Sequence, residues 1–328
     1  MSTSPSLVSI IIPCYNAASW LQETVQSCLA QSYRPIEIII IDDGSTDESL
    51  EIIRSLHSQF PDIVRYEVCS NQGGSAARNR GFALSHGEYI QWLDADDLLA
   101  PQKLQLQASA LASGKFDLVS GRWRHLHEQV PGRFVAGPLK QPVLTTDPVA
   151  DMISAEGWAP PAAYLMTRDI IEQVDGWDEN LRCLQDVDLT LRIAMAGGRF
   201  ALVPQLTAWY RRPVRVTVST RDRQAFKQAC FDNYVRVLNF AESQGWTEQR
   251  RQVLLRSLSM LIRLSVGQDR RMFENSLRLI AEIDPQYVPE GTLMLRALVQ
   301  LFGYQRAEHI ALRYRQIRSM TQPRRRLV

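Results

Sequence analysis

Apolar residues dominate positions 8–13 (VSIIIP) and 36–41 (IEIIII), the composition of strands covered on both faces of a sheet. Between them Leu21, Val25, Cys28 and Leu29 recur at helical spacing as far as Gln31, and Ser19 with Gln22 has the form of a capping box. Ser45 with Glu48 is a second capping box, ahead of a helix whose apolar stripe is Ile52, Ile53, Leu56 and Phe60. A strand over 64–68, a loop over 71–75, a helix over 76–85 and a strand over 89–93 follow. This alternation predicts βαβ units and a largely parallel sheet. Beyond it, the pattern predicts a helix over 102–113, a strand over 117–120, and loops and edge strands as far as 148. Next come a strand over 162–167, a short helix to 174, a turn at 176–179 and a helix over 185–195 stopped by Gly197 and Gly198. From 221 onward only helical periodicity remains, in segments near 226–243, 247–266, 272–283, 293–302 and 307–320. A boundary is therefore expected at about residue 218, separating a domain over 1–218 from a helical module over 219–328.

Three of the predicted parallel strands end in polar loops on one edge: Cys14-Tyr15-Asn16, Asp42-Asp43, and Asp94 to Asp97. In open α/β sheets ligands bind outside the carboxyl ends of the strands, so these side chains face a ligand rather than a core. The acids at 94, 96 and 97 repel one another unless a cation neutralises them. Hard oxygen ligands suit Mg²⁺ or Mn²⁺, which commonly bring in phosphates. A solvated acidic turn explains one such loop; three on the same rim need a common cause. A ligand carrying a diphosphate supplies one, with Asp43 accepting from a base, Tyr15 stacking on it, Asp94 on ribose hydroxyls and Asp96 on the metal. A dinucleotide site is disfavoured, because no glycine follows the first strand where GxGxxG belongs.

Composition narrows the setting. A 45% apolar and 22% charged chain of 328 residues is ordinary for a globular protein. Five cysteines without CxxC spacing point to a reducing compartment rather than a structural zinc. Neither a signal peptide nor a membrane-spanning stretch is visible, so the expected location is cytoplasmic. The net charge of +2 hides eight arginines against two glutamates after residue 289, an excess that suggests peripheral contact with the inner face of a membrane. No nucleic-acid partner is expected.

Taken together, VSIIIPCYN, IDDGSTD, NQGGSAARNRG, EYIQWLDADD, GWDE and QDVDL resemble glycosyltransferase family 2, the inverting nucleotide-sugar enzymes of GT-A fold, over about residues 7–212. The resemblance implies an α/β, Rossmann-like GT-A sheet flanked by helices, followed here by the all-helical module. It implies a divalent cation, Mn²⁺ or Mg²⁺, a nucleotide diphosphate sugar donor with UDP favoured, and a glycan, lipid-linked or other hydroxyl acceptor in cell-surface or exported glycan synthesis. By motif, Pro13 and Tyr15 line the base site and Asp43 binds a uracil-type base. Arg78 lies near the diphosphate, Asp94 and Asp96 are the Asp-x-Asp positions with Asp96 on the metal, and Asp97 supports them. Asp186 matches the catalytic base.

Two departures stand out. Gln185 replaces the usual Glu before the base, removing a repulsive charge. No histidine follows Tyr210-Arg211, where Arg212 is placed to substitute electrostatically. Alternatives are capping of a helix by Asp186 and Asp188, with Asp188 as the reserve base, a metal-dependent nucleotidyltransferase, and a non-catalytic scaffold. Trp158 and Trp177 either stack on an acceptor sugar or pack internally, while His125 and His127, sharing a strand face without a third ligand, read as surface residues.

Overall fold

The computed structural model describes residues 5–130, 132–154, 156–212 and 222–321. It divides into two compact units, Met1–Arg221 and Asp222–Val328; the expected boundary at about 218 lies outside the described residues.

The first unit is built on four parallel strands, β1 (Val8–Cys14), β2 (Ile36–Asp42), β3 (Val64–Val68) and β4 (Tyr89–Trp92), in the order β3-β2-β1-β4. Their isoleucines are apolar on both faces because both faces are covered. Ile38 and Ile40 join the main core with Leu21 and Val25 of helix α1 (Leu21–Leu29) and Ile53 and Leu56 of α2 (Ser49–Gln59). Ile39 and Ile41 point the other way, onto Ala77 of α3 (Gly74–Leu84). Each such side chain contributes roughly 1.5–3 kcal/mol by leaving water. Pro13 lacks an N–H, and it sits beyond Ile11↔Trp92, the last β1–β4 pair, where the two strands part and a crevice opens.

Past β4 the sheet becomes mixed. It continues through β8 (Tyr164–Thr167), β6 (Leu118–Val130), β9 (Phe200–Arg212) and the two-residue β5 (Leu98–Leu99), with β7 (Arg133–Lys140) paired to β6. β8 runs antiparallel to both β4 and β6, whereas β6 and β9 are parallel. The strand expected over 117–120 thus extends ten residues further, to Val130. Its second half, from Arg124 to Val130, is rich in Arg, His, Glu and Gln and is partly buried or exposed throughout, so it lacks the apolar run that marks the first half. Helices α4 (Lys103–Leu111), α5 (Pro148–Ile153), α6 (Arg168–Gln173) and α7 (Gln185–Met195) complete the unit.

Neither expected capping box forms. The N-cap positions of α1 and α2 are Trp20 and Glu48, without side-chain bonds. The polar residues instead tie the loops after β1 and β2 together: Ser45 Oγ accepts from Asn16 N, Ser49 Oγ from Ala17 N, and Asn16 Oδ1 from Thr46 N, at 3.0, 2.9 and 2.8 Å. Two loops of the rim are thereby one braced structure.

The second unit consists of α8 (Arg223–Gln244), α9 (Glu248–Ser265), α10 (Arg270–Ile283), α11 (Leu293–Phe302) and α12 (Tyr304–Thr321), close to the periodic segments. Asp222, Thr247, Asp269 and Thr292 cap the first four through their side chains. Among the described residues no helix is long and apolar enough to cross a membrane.

Candidate active site

The ends of β1, β2 and β4 converge where the strands part. Tyr15 is 52% exposed at the end of β1, its ring free to stack on a flat ligand, and Pro13 lies two residues below it. Asp43 is buried, with Oδ1 accepting from Gln72 N at 2.8 Å and Oδ2 from Gly73 N at 2.9 Å. Gly73 adopts φ 96, a left-handed conformation that a side chain would disfavour, and so aims its N–H at the carboxylate. Asp43 thus pins the loop before α3, and any base N–H must use its remaining lone pairs.

Arg78, buried on α3, draws the next elements together. Its Nη2 donates to Asp94 Oδ1 at 2.5 Å and its Nη1 to Gln185 Oε1 at 3.4 Å, while the guanidinium lies 4.5 Å from the Trp177 ring centre. Trp177 is 3% exposed and packs edge-on against Trp92. It is therefore the floor beneath Arg78 rather than a surface for an acceptor sugar. Asn79, next on α3, clamps the same GWDE turn by donating to Trp177 O and accepting from Trp177 N.

The acidic loop is electrostatically strained. Burial, and then the charge of Asp94, push the Asp96 carboxyl up to about 6. Burial pushes Asp97 well above the usual carboxylate range, with Asp96 and Asp94 adding to it. Asp97 Oδ1 accepts from Arg211 N at 2.8 Å, which makes it the support of the loop. Arg211, whose role the sequence left unassigned, closes the loop from β9. It donates to Asp96 O at 2.8 Å, pairs with Glu23, and lies over Trp20 and Phe134. β9 carries no regular two-residue alternation that would have marked it: Arg211 is buried at the strand's end and its neighbour Arg212 is exposed. Arg212 instead lies over the Tyr210 ring.

These observations also test the fit of a cation. Among the described residues no group of three His, Cys, Asp or Glu side chains forms a closed metal cage. Mg²⁺ and Mn²⁺ do not require one, since one or two carboxylates completed by ligand phosphates suffice. Asp96, a partly exposed carboxylate past the end of β4 with Asp94 two residues away, fits that role.

Asp186 opens α7. The N-cap is Leu184, at φ 55 without a side-chain bond, and Asp186 and Asp188 both fall in the first turn, where the helix dipole favours an acid. Its Oδ2 accepts from Trp158 Nε1 at 2.6 Å. Burial raises its affinity for a proton, the Trp158 N–H and the Val187 N–H oppose this, and Asp94 adds to it more weakly. Asp188, the reserve base, is withdrawn from that role: it is 1% exposed and bonded to Arg192 Nε at 2.8 Å, and Arg192 donates in turn to Gly176 O. His125 and His127 stack edge-on with each other, His125 against Tyr210, so only His127 is a surface residue.

Residues 9–134 match the glycosyl transferase family 2 model. An uncharacterized glycosyltransferase of Haemophilus influenzae is 42% identical over 117 residues, which are 36% of this chain and 47% of that protein. Glycosyltransferase GlyG of Streptococcus pneumoniae is 37% identical over 123 residues, 37% of this chain and 40% of its own. The chain thus spans less than half the length of either relative. Among solved structures, S. aureus TarS 1-349 in complex with UDP-GlcNAc superposes with TM-score 0.65 at 16% identity, covering 94% of this chain and 91% of that one. The mannosyltransferase PcManGT of Pyrobaculum calidifontis, in complex with GDP-Man and Mn²⁺, gives 0.51 at 20% identity over 97% and 84%. Both are likenesses of fold, the GT-A arrangement. Motifs, fold and relatives agree that residues 9–134 carry a glycosyl transferase family 2 domain.

Proposed function

We propose that the protein moves one sugar from a nucleotide diphosphate sugar, a UDP-sugar in preference, to a hydroxyl of a glycan or lipid-linked acceptor, with inversion, in cell-surface or exported glycan synthesis. The observation that carries this reading is the Arg78 bridge, which joins Asp94 of the acidic loop to Gln185, the neighbour of Asp186. A phosphate-binding edge and a base are thereby held on one short chain of bonds. Tyr15 stacks on the base and Asp43 orients it, while Asp94 takes ribose hydroxyls and Arg78 lies toward the diphosphate. A divalent cation held by Asp96, when bound, neutralises the charge that gathers on the departing diphosphate.

Asp186 acts as general base. The acceptor oxygen attacks the anomeric carbon from the face opposite the diphosphate, and its proton passes to Asp186. The carbon–oxygen bond to phosphate breaks, and the electron pair leaves with the diphosphate. Burial suits Asp186 to the task, because a carboxylate with raised proton affinity takes a proton more readily.

The helical unit is proposed to hold the enzyme at the inner, anionic face of a membrane. Ile310, Tyr314 and Ile317 share one exposed stripe of α12 at helical spacing, with Arg306 and Arg313 exposed beside it. Incubation with a panel of nucleotide sugars and Mn²⁺ or Mg²⁺ tests the enzymatic reading. One donor is expected to release its nucleoside diphosphate slowly in the presence of the cation. Indifference to every nucleotide sugar, with and without cation, contradicts it.

A further inference from the structure

Four tryptophans lie at or under the site, and three of them, Trp92, Trp123 and Trp177, bury their indole nitrogens without a hydrogen-bond partner. Trp158 alone among these four directs its N–H to a carboxylate, Oδ2 of Asp186, at 2.6 Å. We propose that Trp158 is the positioning residue for Asp186, holding Oδ2 so that Oδ1 alone meets the acceptor hydroxyl. The proposal rests on the reading of Asp186 as base.

Three features support it. The indole N–H donates and has no acceptor capacity, so it cannot compete with Asp186 for the proton that the carboxylate must take. The ring is also fixed. It stands edge-on to Trp123 of β6 at 6.0 Å and to Tyr210 of β9 at 5.9 Å, and these strands are direct neighbours in the sheet. The segment carrying it is anchored on both sides, by Ala159 N donating to Tyr164 Oη at 3.0 Å and Val143 N to Glu156 O at 2.8 Å. Finally, the contact opposes burial. Desolvation and Asp94 favour the protonated acid, while Trp158, the Val187 N–H and the positive charge of Arg78 favour the carboxylate; Tyr164 and Tyr210, nearby, have phenols pushed upward by burial and add no charge. A base held in this balance is poised rather than simply buried.

Trp158→Phe keeps a ring between Trp123 and Tyr210 and removes the donor. With the nucleotide sugar that the panel identifies, the donor dissociation constant is expected to stay within about 2-fold. Turnover at neutral pH falls on the order of 10-fold, as for loss of one hydrogen bond to a charged group. The acid limb of the turnover–pH profile moves upward, so that alkaline pH recovers part of the rate. In an Asp186→Asn background the same change costs nothing further, because Trp158 acts through Asp186. An unmoved acid limb, or an added loss in that background, overturns the proposal while leaving Asp186 as base; full turnover of Asp186→Asn itself overturns the base reading instead. Should Trp158→Phe not fold, the indole N–H resonance of the parent protein in a ¹H–¹⁵N spectrum decides. It is expected to titrate with pH and to shift in Asp186→Asn, and a resonance indifferent to both overturns the proposal.

Discussion

Asp96 is partly exposed at the mouth of the crevice, and burial together with the charge of Asp94 pushes its carboxyl up to about 6. At an effective dielectric of about 20, one pair of opposite charges at 4 Å is worth on the order of 4 kcal/mol, so a divalent ion easily outweighs the repulsion from Asp94. Asp96→Ala is accordingly expected to abolish the gain in nucleoside diphosphate affinity that Mn²⁺ gives the parent, as read by calorimetry; an equal gain in both proteins contradicts the role. Residue identity was what the sequence conveyed best. Tyr15, Asp43, Arg78, Asp94, Asp96 and Asp186 were all nameable from motifs; all but Arg78, which lies within α3, sit where a strand ends or a helix begins. What the motifs left out was partnership. That Trp158 reaches Asp186 across 28 positions, or that Arg211 closes a loop 115 positions earlier, depends on how strands pair, and local pattern carries no such information.

Elements explain why the crevice is stiff. Helix α3 lies against β1 through Gly81, where a Cβ would stand 2.4 Å from Ile11 Cγ2, a branched side chain with little freedom to yield. Gly81→Ala is expected to cost about 1–3 kcal/mol in stability, seen as a lower thermal midpoint. An unchanged midpoint contradicts this packing. Beneath the other half of the sheet, Lys103 at the start of α4 is fully buried, donating to Gln91, Gln107 and Tyr164 O. Burial lowers its affinity for a proton well below the ordinary value, so the unfolded chain holds more protons at this site than the folded one. Stability should then rise with pH up to the unfolded pKa of about 10.4. Midpoints at pH 7 and 9.5 are expected to diverge between the parent and Lys103→Met, the parent gaining with pH; parallel curves contradict it. Element types and limits in the parallel half followed from apolar runs. The long β6 and β7 did not, since their Arg, His and Glu positions resemble a loop until the neighbouring β9 is known.

At the scale of the whole molecule, the two units divide the proposed labour into chemistry and placement. The arginines that the sequence emphasised fall partly beyond residue 321 and so outside the described residues, yet Arg306 and Arg313 flank an apolar stripe in which Ile317 is 62% exposed. With each basic residue near an anionic surface contributing about 1 kcal/mol, flotation with anionic vesicles is expected, weakened by salt and by Arg306→Gln with Arg313→Gln. Flotation indifferent to lipid charge and to salt contradicts the placement.

Asp186 is proposed to remove the proton from the acceptor within a nucleotide-sugar site. Asparagine matches aspartate in size and still accepts from the Trp158 N–H, but it cannot take a proton. The turnover and donor dissociation constant of Asp186→Asn therefore isolate the chemistry. Donor binding is expected to stay unchanged with turnover lower by about 10²–10⁴-fold, the usual cost of losing general-base help. Turnover close to that of the parent contradicts it.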